Sequence, residues 1–190
     1  MKATFYAILT VLILLVSPLK AQWERTKGPS YGGVTSMAYQ APYLFATTMS
    51  GLFRTSDNGL NWEQVKGLPD NRITGVVAKG NKVIVSCWYF GIYISSDAGN
   101  TWDKAGTEMP IGSITSTLPT MPYYRLYATT NYIYCGVGGI QYKLYRSSDD
   151  GKSWQLFLSN QYVDNMIQDG DTILINNTTN TIRSISLLII

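Results

Sequence analysis

Three nearly identical octapeptides limit what this chain can fold into: Thr55-Ser56-Asp57-Asn58-Gly59-Leu60-Asn61-Trp62, Ser95-Ser96-Asp97-Ala98-Gly99-Asn100-Thr101-Trp102 and Ser147-Ser148-Asp149-Asp150-Gly151-Lys152-Ser153-Trp154. They recur at intervals of 40 and then 52 residues. A unit of that size cannot bury its own apolar face, so it must stack on copies of itself.

One pattern repeats between the octapeptides. Ile73 to Ala78 reads as a short strand, Gly80-Asn81 as a turn, Lys82 to Cys87 as an alternating strand and Gly91 to Ser95 as a third. The octapeptide then turns the chain into a fourth strand at Thr101 to Ala105. Four short antiparallel strands at this period are the signature of a propeller blade. The preceding unit supplies Val34 to Tyr39, Tyr43 to Thr48, Gly51 to Thr55 and Asn61 to Val65. The following unit supplies Ser113 to Thr117, Tyr132 to Cys135, Gln141 to Ser147 and Ser153 to Phe157. Its extra length includes Pro119-Thr120-Met121-Pro122-Tyr123-Tyr124, which reads as a loop because proline cannot donate to a ladder.

The two ends carry partial units. Gln22 to Pro29 is similar to Asn61 to Leu68, so residues 22–27 read as a lone fourth strand. Val163 to Ile167 and Thr172 to Ile175 read as the first two strands of another unit, with Arg183-Ser184 placed like Arg54-Thr55 and Arg146-Ser147. No octapeptide follows, only the apolar stretch Ile185 to Ile190. The expected fold is all-β, with three complete four-stranded blades and an incomplete or terminus-shared fourth. A closed ring would let the last blade borrow residues 22–27 as its outer strand. In the other arrangement the chain is a fragment of a larger propeller, which the tail favours because it lacks turn chemistry.

Each octapeptide has the composition of a tight hairpin. The carboxylates of Asp57, Asp97 and Asp149 can accept backbone N–H bonds, and the Ser or Thr two positions earlier adds a local hydroxyl. Gly59, Gly99 and Gly151 suit a left-handed turn, and Trp62, Trp102 and Trp154 offer large apolar surfaces to an adjoining sheet. An EF-hand would need a longer run of oxygen ligands ending in Glu, so the aspartates read as structural. The octapeptides resemble the Asp-box, or BNR, repeat Ser-x-Asp-x-Gly-x-Thr-Trp. The second copy fits at every specified position, while Thr55, Asn61 and Ser153 depart from it in the other two. By repeat pattern the resemblance extends over residues 22–184, to sialidase-like, sortilin-like and photosystem-assembly-factor-like propellers. It implies boxes on outer turns, away from a central ligand face. It does not carry over sialidase catalysis, because none of Arg25, Arg54, Arg72, Arg125, Arg146 and Arg183 falls in a motif of that active site.

No catalytic, cofactor-binding or metal-binding residue is assigned. The chain has no His, which excludes Ser/His nucleophilic chemistry, and its two cysteines without His make a poor zinc site. Gly136-Val137-Gly138-Gly139 lacks the strand–turn–helix setting of a phosphate loop. A glycosidase needs two carboxylates roughly 5–9 Å apart. Glu24, Glu63 and Asp103 share one slot after a Trp and read as solvated, whereas Asp70, Glu108 and Asp164 lie near first-strand entries and could approach a central face. Asp150, Asp169 and Asp171 complete the candidates. For recognition, Trp88-Tyr89-Phe90 stands between strands, whereas Tyr123-Tyr124, Tyr132 and Tyr134 compete with packing roles.

Residues 1–21 have a lysine near the start, an apolar run from Phe5 to Val16 and a small residue at Ala21, the pattern of a signal peptide. A retained anchor is the alternative. The formal charge of +3 includes Lys2 and Lys20, so residues 22–190 are nearly neutral and carry no footprint for nucleic acid. In an oxidising compartment Cys87 and Cys135 could bridge neighbouring units, although two separately buried thiols fit their strand positions better. Asn176 and Asn177 begin overlapping sequons in what reads as an exposed loop. The functional expectation is a secreted or periplasmic, non-catalytic propeller that binds an extracytoplasmic protein or a cell-surface glycan, or serves in assembly. No cofactor and no stable membrane insertion after signal cleavage are expected. The alternative is a divergent carbohydrate hydrolase using carboxylates outside the octapeptides.

Overall fold

A computed structural model describes residues 26–29, 32–88, 90–106, 124–138, 142–170 and 172–176, together with the backbone of 182–186. The first sheet is an antiparallel meander of β1 (Ser36–Gln40), β2 (Tyr43–Thr48), β3 (Gly51–Thr55) and β4 (Glu63–Gln64). The second repeats it with β5 (Ile73–Lys79), β6 (Lys82–Cys87), β7 (Gly91–Ser95) and β8 (Asp103–Lys104). The third contains β9 (Tyr124–Ala128), β10 (Ile133–Val137), β11 (Lys143–Ser147) and β12 (Gln155–Ser159). The fourth has three described strands, β13 (Asn165–Asp169), β14 (Thr172–Asn176) and β15 (Ile182–Ser186). Three complete four-stranded blades and an incomplete fourth are thus present.

Two assignments from the sequence need correction. The first strand of the third sheet is β9, so Tyr124 opens a strand instead of closing a loop. Tyr124 and Leu126 alternate inward, 1% and 8% exposed, and the strand pairs directly with β10. The extra residues of this unit therefore precede the sheet, and Ser113 to Thr117 lies outside the described residues. The second correction concerns register. Leu44 pairs with Thr55, Val83 with Ser95 and Ile133 with Ser147, but the corresponding Ile173 pairs with Ile185. Arg183-Ser184 is one residue out of step with Arg54-Thr55.

Apolar clusters fill the spaces between consecutive sheets. Phe45, Leu52 and Val65 meet Ile73, Val76, Val83, Val85 and Cys87 between the first and second. Val77, Ile84, Ile92 and Ala105 meet Tyr124, Leu126, Ile133, Cys135, Tyr145 and Trp154 between the second and third. Tyr134 and Leu144 meet Val163, Ile173 and Ile175 between the third and fourth. Cys87 and Cys135 are free, buried thiols in different clusters. Burial pushes Cys87 up to about 12, helped by the Asp70 carboxylate, and raises Cys135 as well.

The octapeptides form the hairpins between third and fourth strands, as expected. Each Asp Oδ1 accepts the hydroxyl of Thr55, Ser95 or Ser147, at 2.7, 2.8 and 2.7 Å, and the amide of Asn61, Thr101 or Ser153 at 2.9 Å. The same hydroxyls accept the N–H of Gly59, Gly99 and Gly151. The turn needs two successive left-handed residues, Asn58-Gly59, Ala98-Gly99 and Asp150-Gly151, with the first of each pair at φ 58°, 57° and 61°. Only the glycines were legible as left-handed from sequence.

The turns also join neighbouring sheets. A Cβ on Gly99 would lie 3.3 Å from the Phe45 ring and 3.5 Å from Val65. A Cβ on Gly59 would lie 3.3 Å from Thr26. Thr26 therefore occupies beside the first sheet the place that Val65 occupies beside the second, while residues 22–25 of the expected fourth strand lie outside the described residues. Arg54 donates to the carbonyl of Ala98, and Asp150 bridges Lys79 and Lys82 at 2.9 and 3.0 Å.

Candidate functional site

The first strands of all four sheets converge on one cavity of about 350 Å³. Its lining comprises Thr35 just before β1 and Ser36 at its start, Thr74 and Gly75 in β5, Arg125, Leu126 and Tyr127 in β9, and Asp164 just before β13 with Asn165 at its start. Strand pairing shows that these residues are equivalent: Ser36 faces Thr47, Gly75 faces Ser86, Arg125 faces Gly136 and Asn165 faces Asn176. Three of the four inner positions therefore carry a small or amide residue, and the third carries a guanidinium.

Local bonds hold most of the lining in place. The Thr35 and Thr47 hydroxyls are 2.8 Å apart, as are those of Thr74 and Ser86. Ser36 donates to the carbonyl of Val76 at 3.2 Å. Arg125 Nη1 donates both to the Asp164 carbonyl at 2.9 Å and to its Oδ1 at 3.0 Å. The guanidinium also stands 5.5 Å from the Tyr162 ring, yet 42% of the Arg125 side chain stays exposed. The Tyr127 hydroxyl donates to the Val163 carbonyl at 2.8 Å, and burial pushes it up to about 12.

Apolar side chains border the same end of the sheets. Hairpins between second and third strands carry exposed Met49 in the first sheet and Phe90 in the second, and exposed Tyr142 immediately precedes β11 in the third. Trp88 lies beside Phe90 under Arg72, whose guanidinium is 6.0 Å from the indole ring. Tyr142 packs edge-on against Tyr162, ring centroids 4.9 Å apart, and both line a recess that shares Arg125 with the cavity. The octapeptides occupy the other end: Thr55 pairs with Leu44 near the start of β2, whereas Ser36, at the cavity, pairs with Thr47 near its end.

Within the expected carboxylate trio the structure separates Asp70 from Asp164. Asp164 lines the cavity, Glu108 is outside the described residues, and Asp70 is turned to Arg72, with 2.7 Å between Oδ2 and Nη2. The Arg72 hydrogen bond lowers the Asp70 pKa. Asp164 is therefore the one carboxylate among the described cavity residues. Glu63 and Asp103 are exposed on β4 and β8, as anticipated. Asp150, bound by Lys79 and Lys82, has a lowered pKa, and Asp169 ends β13 exposed.

Among the aromatic candidates, Phe90 is exposed, whereas Tyr124 and Tyr134 are core residues and Tyr132 packs against Tyr134. Tyr89 and Tyr123 lie outside the described residues. Asn176 ends β14 half-buried, which corrects its placement in an exposed loop, and Asn177 lies outside the described residues. Met49, Arg125, Tyr142 and Tyr162 were not singled out for this site from sequence, because adjacency between sheets assembles it. Among the described residues no group of three or more His, Cys, Asp or Glu is placed to hold a metal ion, and no helix is long and apolar enough to cross a membrane.

No family model and no curated protein match the chain. Solved structures do share its fold. The extracellular domain of BT4673 from B. thetaiotaomicron has a TM-score of 0.60 and 16% identity over 86% of this chain and 23% of that one. An ancestral GH74 enzyme has a TM-score of 0.59 and 18% identity over 82% of this chain and 23% of that one. PorZ of Porphyromonas gingivalis, a surface component of the type-IX secretion system, has a TM-score of 0.55 and 17% identity over 82% of this chain and 20% of that one. The chain thus spans a quarter or less of these proteins. At such identities the likeness defines an all-β, β-propeller-like fold and nothing finer.

Proposed function

We propose that this chain is an Asp-box-type propeller module that acts outside the cytoplasm, after removal of residues 1–21, by binding a cell-surface glycan or an extracytoplasmic protein without transforming it. The observation that carries this reading is the composition of the cavity. Its one described carboxylate, Asp164, is tied to Arg125, whereas two-carboxylate glycoside hydrolysis needs a second acid group within roughly 5–9 Å. The surrounding Met49, Phe90, Tyr142 and Tyr162 supply apolar and ring surfaces for contact, and Arg125 with Asn165 supplies orienting polar groups. PorZ, named as a surface component, and the extracellular domain of BT4673 lend support to a location outside the cytoplasm.

The test is a glycan panel and a soluble-peptide panel probed with the purified chain. Arg125→Ala is expected to weaken the binding found by about 10- to 100-fold, the worth of a lost charge-assisted hydrogen bond. Phe90→Ala should weaken it less, and Asp97→Ala, at the opposite end of the sheets, should leave it unchanged. The GH74 likeness makes hydrolysis the competing outcome. Release of reducing sugar that Asp164→Asn abolishes would replace binding with catalysis as the function.

A further inference from the structure

Resting on the binding role proposed above, we infer that the cavity takes an uncharged sugar unit at the end of a glycan, and that Asp164 is the residue that turns acidic sugars away. The lining is polar but electrically balanced. Among its described residues Arg125 is the one cation and Asp164 the one anion, with Arg125 Nη1 donating to Asp164 Oδ1 at 3.0 Å. The two side chains are 42% and 24% exposed, so solvent screens neither charge fully and each is answered by the other. An anion that approaches Arg125 must also approach the Asp164 carboxylate one hydrogen bond away, and that repulsion offsets the attraction.

The same pair suits a neutral polyol. Its bond to the carboxylate runs from Nη1 to Oδ1 alone, so Oδ2 and Nη2 are not used in it and stand as an acceptor beside a donor. A hydroxyl both donates and accepts, so one of two vicinal hydroxyls can give its proton to Oδ2 while its neighbour accepts from Nη2. The rest of the lining has the same dual character. The exposed Asn165 carries an amide with a donor and an acceptor, and the hydroxyls of Thr35, Ser36 and Thr74, held in place by Thr47, Val76 and Ser86, keep acceptor capacity to spare. Shape favours an end group over a passing chain. First strands of all four sheets converge on the space, and about 350 Å³ is at the small end of ligand cavities, whereas an extended peptide is bound along a groove or a sheet edge.

Matched sugars test this with the full chain. Calorimetric titrations compare neutral gluco-, galacto- and manno-oligosaccharides with the corresponding glucuronate, galacturonate and mannuronate oligomers. The parent chain is expected to bind one neutral series at least about 10-fold more tightly than its uronate match. Asp164→Asn should raise uronate affinity by about 10-fold and make it fall with added salt, because Arg125 is then unopposed, and Arg125→Gln in that background should remove the gain. The readout is a ratio within one protein, so a loss of stability cannot imitate it, and circular dichroism checks that each variant is folded. A parent chain that prefers uronates, or an Asp164→Asn ratio equal to the parent's, overturns the inference and leaves the binding role standing. So does a chain that binds peptides and no sugar. A chain that binds neither glycan nor peptide overturns both.

Discussion

Asp57, Asp97 and Asp149 show how one short side chain closes a hairpin from inside. Their carboxyls are held near pKa 2, below the ordinary 3.8. In Asp57 the Asn61 amide is the main cause, and in Asp97 the Thr101 hydroxyl. In Asp149 partial burial opposes the shift but is outweighed by the Ser153 hydroxyl and amide. A depressed folded-state pKa gives stability that is complete above the unfolded value and is lost as pH falls through the folded one. The melting temperature should therefore fall as pH drops from about 4 to about 2, and Asn at all three positions should flatten that part of the profile in calorimetry. Ala98 invites the opposite experiment. It holds φ 57° in a place filled elsewhere by Asn58 and Asp150, residue types that tolerate left-handed backbone. Ala98→Asn should stabilise the fold by about 1 kcal/mol, raising the melting temperature by about 2–4 °C. The bond from Arg54 to the carbonyl of residue 98 needs no side chain there, so it should persist.

At the scale of the element, the octapeptide is both a hairpin and an inter-sheet wedge. Trp154 closes its own turn by donating to the Gly151 carbonyl at 2.9 Å, and it is 4% exposed in the core between the second and third sheets. Trp154→Ala should cost about 3–5 kcal/mol, the range for an aromatic deleted from a packed core. Denaturant unfolding of Trp62→Ala should show a smaller loss, because Trp62 makes the same bond to Gly59 but is only half-buried. The aspartates, glycines and tryptophans of these turns were legible in the sequence because they act within a few residues of one another. β9 was not, since Tyr124-Arg125-Leu126-Tyr127-Ala128 follows a proline-rich segment and its inward alternation depends on facing β10. The misplaced Arg183-Ser184 has the same origin: local similarity shifted by one residue is corrected only by the pairing of Ile173 with Ile185.

In the whole molecule the two ends of the sheets perform different work. The octapeptides fix stacking at one end, and the other end collects Arg125, Asp164, Asn165 and the hydroxyls of β1 and β5 around a cavity, bordered by Phe90, Met49 and Tyr142. Cys87 and Cys135 are kept apart by belonging to different inter-sheet cores. Among the described residues Val76 and Val77 are buried between sheets, whereas their counterparts Met37 in the first sheet and Ile167 in the fourth are exposed. The amino-acid sequence determined the repeat, the strand order and the turn chemistry, because hydrogen bonds and side-chain alternation over short separations carry that information. Only the tertiary structure decided that Asp164 meets Arg125 at the cavity, because that contact joins two sheets through residues 39 positions apart in the chain.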